Sequence, residues 1–332
     1  MQHEEVSNFP KWFLHLEIVS IVILFLFSLV SFFVYFLEIQ IIFSFRKTTF
    51  RGPFYRLMFV GIIVDMLSAI NIFTGQIIPA RRYFEMFLLA NENWLGSVFF
   101  FITYGGRCVQ GATATILSFC RVSAVTFPVL YMKLGQHRPI YFLQFLQLSG
   151  LLVAGYLLIP QNYIYIFEND GWYSVDDSDD QAIWFYDFAA IMEVFFVFFI
   201  VLNNLVTYIT FRMKFGKKAT TNIASVQTKY SMEKQKRESS LDKMTFIVCL
   251  VELIYFAFVV YSLQINQTMN KRVFYFLYNI LCVIYSTFSA WMLLIVSKPI
   301  TMQFRQRFSK FRVIRSSRSF SISVQGSQGN NK

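Results

Sequence analysis

Charge is scarce in this chain, and the charge it has avoids the long apolar stretches. Only 15% of the 332 residues are charged, against about 25% in an ordinary soluble domain. Hydrophobic residues make up 56% and aromatic residues 19%. Histidine is nearly absent: His3, His15 and His137 have no metal-ligand spacing. There is no Gly-rich phosphate loop and no zinc-protease motif. No catalytic constellation appears, so the reading is not an enzyme, and no cofactor is implied. The four cysteines, Cys108, Cys120, Cys249 and Cys282, all fall in apolar stretches. That argues against a structural disulfide and excludes a palmitoyl anchor on the tail. The seven prolines sit in loops or near the ends of apolar stretches, where they punctuate helices. No internal repeat occurs, which argues against transporters built from duplicated halves. The N-terminus carries Glu4, Glu5 and Glu17 where a signal peptide would be basic. The first apolar run therefore reads as an uncleaved anchor.

What the sequence has instead is long apolar runs. Residues 18–37 contain no charge, and neither do residues 273–297. A helix crosses a hydrocarbon core about 30 Å thick with about 20 residues, each adding about 1.5 Å. Seven spans are expected: 18–43, 54–78, 95–124, 140–159, 183–211, 244–265 and 273–296. The expected fold class is an all-α membrane protein, a seven-transmembrane helix bundle. The expected domain layout is an extracellular N-terminus over 1–17, a transmembrane domain over 18–297 and a cytoplasmic segment over 298–332.

Orientation follows from Lys and Arg. The loop after span five holds nine of them between Arg212 and Lys243, and the tail from Lys298 holds eight. Arg46, Lys47 and Arg51 follow span one, and Arg121, Lys133 and Arg138 follow span three. The other side has only Lys11, Arg81, Arg82, Lys271 and Arg272. The positive-inside rule then puts the N-terminus outside and the C-terminus in the cytoplasm. The acidic loop between spans four and five agrees, as do Trp12, Trp94, Trp172 and Trp184 at outer ends. Asn266-Gln267-Thr268 is a glycosylation sequon in the last outer loop. The net charge of +11 could suggest nucleic acid. Its placement beside a membrane assigns it to topology and anionic lipid instead.

Ionisable residues inside spans are costly and are functional candidates by default. Asp65, Arg107, Glu193 and Glu252 lie well inside spans two, three, five and six. Glu38 and Asp187 lie nearer span ends, where water is easier to reach. Arg107, Gln110, Ala114, Leu117 and Arg121 recur at helical spacing and form one inward stripe. Asp65 is the expected partner of Arg107, in a structural ion pair or switch. The sharper alternative places Arg107 at the floor of an outward-opening pocket, meeting an anionic ligand group. Gln110, Glu193, Glu252 and Thr103 are the accompanying ligand-binding candidates. Arg121 closes span three, and Pro128 follows seven residues later. In the tail, Phe304, Phe308 and Phe311 with interleaved basic residues form an amphipathic interfacial helix. A Ser-rich stretch over 316–323 follows it, a plausible kinase target.

Seven spans, an outside N-terminus, an arginine closing span three and an amphipathic eighth helix together resemble a G-protein-coupled receptor. Arg121 and Pro128 look like the arginine and proline flanking the second inner loop of rhodopsin-like receptors, and so read as G-protein-coupling residues. Asp65 sits where those receptors carry a span-two aspartate. The stretch from Phe54 through Asp65 to Phe73, and the span-three stretch from Arg107 to Pro128, resemble nematode serpentine chemoreceptors of class gamma or a sister class. The resemblance implies detection of a small-molecule odour or pheromone, signalling through a heterotrimeric G protein, and residence in the plasma membrane or cilium of a chemosensory neuron. Several rhodopsin-like features are missing. Cys120 replaces the acidic residue before the arginine, span seven has no Asn-Pro-x-x-Tyr, and spans five to seven have no mid-span proline. The rival readings are a seven-span ligand-gated channel, a small-molecule transporter and a scaffold without ligand.

Overall fold

The computed structural model describes residues 10–46, 50, 52–81, 85–134, 137–167, 173–177, 181–216, 246–261 and 271–307. Seven helices form a bundle. They are α1 (Lys11–Ser44), α2 (Pro53–Ala80), α3 (Glu92–Thr126), α4 (His137–Leu158), α5 (Gln181–Gly216), α6 (Phe246–Tyr261) and α7 (Lys271–Val296). All but α6 are long and apolar enough to cross a membrane; α6 is a shorter apolar helix among the described residues. The expected spans fall on these helices with ends shifted by a few residues. The helices continue into flanking polar sequence wherever nothing breaks them.

Most large apolar side chains of α1, α4 and α5 face outward, including Phe25, Tyr156 and Phe198. A soluble protein would bury them. A bilayer takes their place here, because lipid-facing helices need no internal partner on that side. The polar and small residues point inward instead. Helix α3 is the hub, packing against α2, α4 and α5. Glycines make this possible. A Cβ at Gly111 would collide with Phe196 of α5, and one at Gly150 of α4 would collide with Cys108. Close backbone approach of this kind is what holds helices together where lipid removes the hydrophobic drive between them. Buried amides add fixed links. Gln147 of α4 donates to the Leu57 carbonyl at 3.1 Å and to Thr113 Oγ1 at 2.6 Å. Asn203 of α5 donates to Ser118 Oγ at 2.9 Å.

Two helices are interrupted by single π-helical turns, Phe73–Ile77 in α2 and Phe101–Gly105 in α3. In α2 the cause is legible. Pro79 has no N–H and crowds the carbonyl four residues back, and a wider turn, with the Ile78 N–H on the Phe73 carbonyl, relieves it.

An all-α reading missed one element. Strands β1 (Tyr163–Phe167) and β2 (Tyr173–Asp177) form an antiparallel hairpin between α4 and α5, with Tyr163 opposite Asp177. The run Tyr-Ile-Tyr-Ile-Phe is rich in β-formers, and Asn169-Asp170-Gly171 follows it. The Tyr163 N–H bonds Asn93 Oδ1 at 3.2 Å and the Tyr165 N–H bonds Glu92 Oε2 at 3.3 Å, fastening the hairpin to the start of α3.

The Trp12 end of the bundle is tied by an ion triad that sequence reading did not find. Glu17 of α1, fully buried, lies 3.0 Å from Arg81 at the end of α2 and 2.8 Å from Arg272 at the start of α7. At the other end, residues 298–307 form a helix after Ser297. Ile300 is buried and Phe304 packs on the cluster of Tyr35, Ile41, Phe54 and Leu293. Arg307 donates to Gln40 Oε1 of α1 at 2.8 Å. Phe308, Phe311 and the serines lie outside the described residues, as do Asn266 and the basic stretch 217–245.

Removing one member of a buried ionic group leaves the others uncompensated, at about 3–5 kcal/mol. Glu17→Gln would leave Arg81 and Arg272 facing each other. It should lower the thermal midpoint of the protein in lipid nanodiscs by several degrees. An unchanged midpoint would show that the triad does not hold this end together.

Candidate functional site

At mid-bundle, four helices each contribute to one buried cluster. Arg107 of α3 donates through one terminal nitrogen to Glu193 of α5 and to Glu252 of α6, the latter at 2.6 Å. The Tyr285 hydroxyl of α7 donates to the other oxygen of Glu252. The guanidinium lies over two neighbouring rings, 4.1 Å from the centre of Tyr255 and 4.2 Å from that of Tyr285, whose own centres are 5.2 Å apart. Exposure of the three charged side chains is 15% for Arg107, 8% for Glu193 and 2% for Glu252. Cation–π stacking and charge-assisted hydrogen bonds replace the water this guanidinium gave up.

The expected Asp65–Arg107 pair does not form. Asp65 Oδ1 instead accepts from Gln110 Nε2 at 2.8 Å. Its Oδ2 accepts from Ser289 of α7 and lies 3.2 Å from the Tyr35 hydroxyl of α1. That hydroxyl also reaches the Ser286 carbonyl at 2.7 Å. The physical reason is a division of labour along the α3 stripe. Gln110, one turn beyond Arg107, satisfies the aspartate with a neutral amide. Arg107 turns toward α5, α6 and α7, where two carboxylates and two aromatic faces compensate it better than one carboxylate could. The inward stripe itself is present: Gln110, Ala114 and Arg121 are buried.

Two small cavities flank Gln110 and Tyr285, which line both. The one on the Thr103 side, about 30 Å³, also meets Ser68, Thr103, Arg107 and Tyr278. The one on the Leu117 side, about 70 Å³, also meets Asp65, Thr113, Glu252 and Ser289. Of the ligand-binding candidates, Thr103, Arg107 and Gln110 thus share one cavity, Gln110 and Glu252 share the other, and Glu193 joins through Arg107. Thr103 Oγ1 accepts from Asn71 at 2.9 Å, which fixes its place in the wall.

Sequence reading missed Tyr35, Ser68, Tyr255, Tyr285 and Ser289. A signal for three of them existed. Tyr278, Cys282, Tyr285 and Ser289 recur at helical spacing in the otherwise apolar α7, and Tyr255 lies one turn from Glu252.

Glu38 corrects a second expectation. The sequence puts it nearer a span end, where water is easier to reach, yet it is fully buried, and neither carboxylate oxygen has a hydrogen-bond partner among the described residues. Helix α1 runs on past it to Ser44, and its neighbours Tyr35, Ile41 and Ile42 are packed against α7 and the helix over 298–307. Asp187 has no described side chain.

Arg121 is buried, with its guanidinium 5.0 Å from the centre of the Phe54 ring. Pro128 opens the short helix Pro128–Leu134, where a proline fits because the first N–H groups have no helical partner. Tyr131 of that helix packs beside Leu57, Cys120 and Ile140. Burial pushes its phenol up to about 12. Phe127, Val129, Leu130 and Met132 project outward around it.

Arg107→Leu should cost about 3–5 kcal/mol, because it strands two carboxylates without a cation. The triple variant Arg107→Leu/Glu193→Gln/Glu252→Gln should recover much of that loss. Thermal unfolding of the purified variants checks this. Equal stability of the single and triple variants would show that the charges are not coupled.

A family model described as serpentine type 7TM GPCR chemoreceptor Srv matches residues 24–310, a stretch that contains both cavities. No curated protein matches the chain. The matched class is a sister of the gamma class that the span-two and span-three motifs resemble. Class gamma itself is not what matches.

Proposed function

The chain belongs to the serpentine seven-transmembrane GPCR chemoreceptors of class Srv, and on that premise we propose that it detects a small molecule at the Arg107 cluster and signals through a heterotrimeric G protein. One observation carries the reading. A buried ionic and aromatic knot joins α3, α5, α6 and α7 beside two cavities, so a molecule entering there acts on four helices at once.

The protein is a multi-pass membrane protein. Its proposed orientation has residues 1–17 outside, with Asn266 as a glycosylation site, and residues 298–332 in the cytoplasm. The plasma membrane, and there the sensory cilium, is the proposed location. The Arg121 end is then the G-protein side. In the packing described here Arg121 is covered by Phe54, so coupling requires that end to open. A ligand shifts the balance between closed and open packings only by its differential affinity for the two. The apolar residues around Pro128 and the basic loop 212–243 supply further contact surface for the G protein.

Arg121→Ala should abolish agonist-dependent G-protein activation while surface expression stays within twofold of the parent. A reporter of G-protein activation and an antibody count of surface receptor give the two readouts. Undiminished signalling would remove Arg121 from the coupling role.

A further inference from the structure

The cavity on the Thr103 side has an unbalanced wall. Arg107 carries three hydrogen-bonding nitrogens and uses one of them for both carboxylates. Its Nε and Nη1 are buried with no hydrogen-bond partner among the described residues. Ser68 lines the same cavity, is 8% exposed, and its hydroxyl also has no partner. Gly106, adjacent to Arg107, is what admits that hydroxyl: a Cβ there would come within 2.8 Å of Ser68 Oγ. The remaining wall includes Ile72, Tyr255, Tyr278 and Cys282. Three unfilled donors thus lie on two residues of one largely apolar pocket. A buried donor left unmade costs about 1–3 kcal/mol, so the pocket favours whatever supplies an acceptor.

Charge decides what kind of acceptor. Arg107 already faces two carboxylates, so an anionic group would bring a third negative charge into one desolvated site. A cation would meet N–H donors, and neither Glu193 nor Glu252 lines this cavity. Both oxygens of Glu252 are already taken, by Arg107 and by Tyr285.

We infer that the ligand of this receptor presents a neutral acceptor oxygen, a carbonyl of a ketone, aldehyde or ester, to Arg107 and Ser68, with its apolar body against the tyrosines of α6 and α7. This rests on the receptor reading of the cavity. At about 30 Å³ the cavity admits the oxygen end alone, roughly the room of one or two waters. The body of the ligand enters by parting the Tyr255 and Tyr278 walls. Binding therefore moves α6 and α7 relative to α3, which is the motion a receptor needs.

The experiment is a thermal-shift titration of the full-length protein in nanodiscs, which needs no G protein. Probes share two skeletons and differ in one group: 2-hexanone and acetophenone, hexanoate and phenylacetate, hexylamine and 2-phenylethylamine, hexane and ethylbenzene. At least one carbonyl probe should raise the midpoint in a saturable way, and its acid, amine and hydrocarbon counterparts should not. Ser68→Ala should leave the midpoint of the empty protein unchanged or higher, since the hydroxyl it removes has no partner. It should weaken the carbonyl probe about three- to tenfold. Stabilisation by the amine or the acid, equal stabilisation by the hydrocarbon, or no response to any probe would overturn the inference. In the last case the donors hold water only. A receptor that then answers a ligand of another class through its G protein would leave the receptor reading standing while this inference falls.

Discussion

The middle of this bundle is organised around one guanidinium withdrawn from bulk solvent. A charged group at that depth is tolerated only where protein replaces its hydration. Arg107 finds that replacement in Glu193, Glu252 and the faces of Tyr255 and Tyr285. No single helix could supply those partners. The need to satisfy one side chain therefore fixes the relative placement of α3, α5, α6 and α7. The Asp65 cluster does the same for α1, α2, α3 and α7 through Tyr35, Gln110 and Ser289. The two cavities share Gln110 and Tyr285 as wall, so a change in one is felt in the other.

Such an arrangement suits a switch better than a rigid core. Polar networks in a low-dielectric interior have few acceptable arrangements, and each must satisfy nearly all its groups. Arg107 Nε and Nη1 and the Ser68 hydroxyl have no hydrogen-bond partner among the described residues, so this packing leaves groups wanting. The π-helical turns in α2 and α3 lie beside the same region, and such turns are places where a helix changes register at modest cost. The two ends are tied by other contacts. The Glu17 triad at one end and the contacts of Ile300, Phe304 and Arg307 at the other hold α1, α2 and α7 in place.

The seven helices were legible because hydrocarbon imposes length and apolarity on every span, and both are written in composition. The functional candidates were legible for the same reason: a charge inside a span stands out. Arg107, Glu193 and Glu252 could be named from sequence, but their pairing could not. The adjacency of α2 and α3 in sequence points to Asp65 as the partner of Arg107. The real partners come from helices far along the chain, and which face they present depends on packing and on a π-helical turn just before Arg107. Tyr255 and Tyr285 were hidden because a tyrosine in an aromatic-rich span does not look unusual. Glu17, Arg81 and Arg272 looked like loop charges, since each lies near a helix end. Only the fold brings them together. The hairpin after α4 was missed because five residues of strand vanish beside runs of twenty.

The central claim is that the bonds from Glu252 to Arg107 and Tyr285 hold α6 against α3 and α7. Electron–electron distance measurement tests it most directly. Spin labels at Val129 and Phe246, both exposed near the Arg121 end, would report that spacing in the parent and in Glu252→Ala. The account predicts a shift to longer distances, or a second longer population, in the variant. Superimposable distributions would mean that α6 is held by packing alone and that the knot is not the switching element.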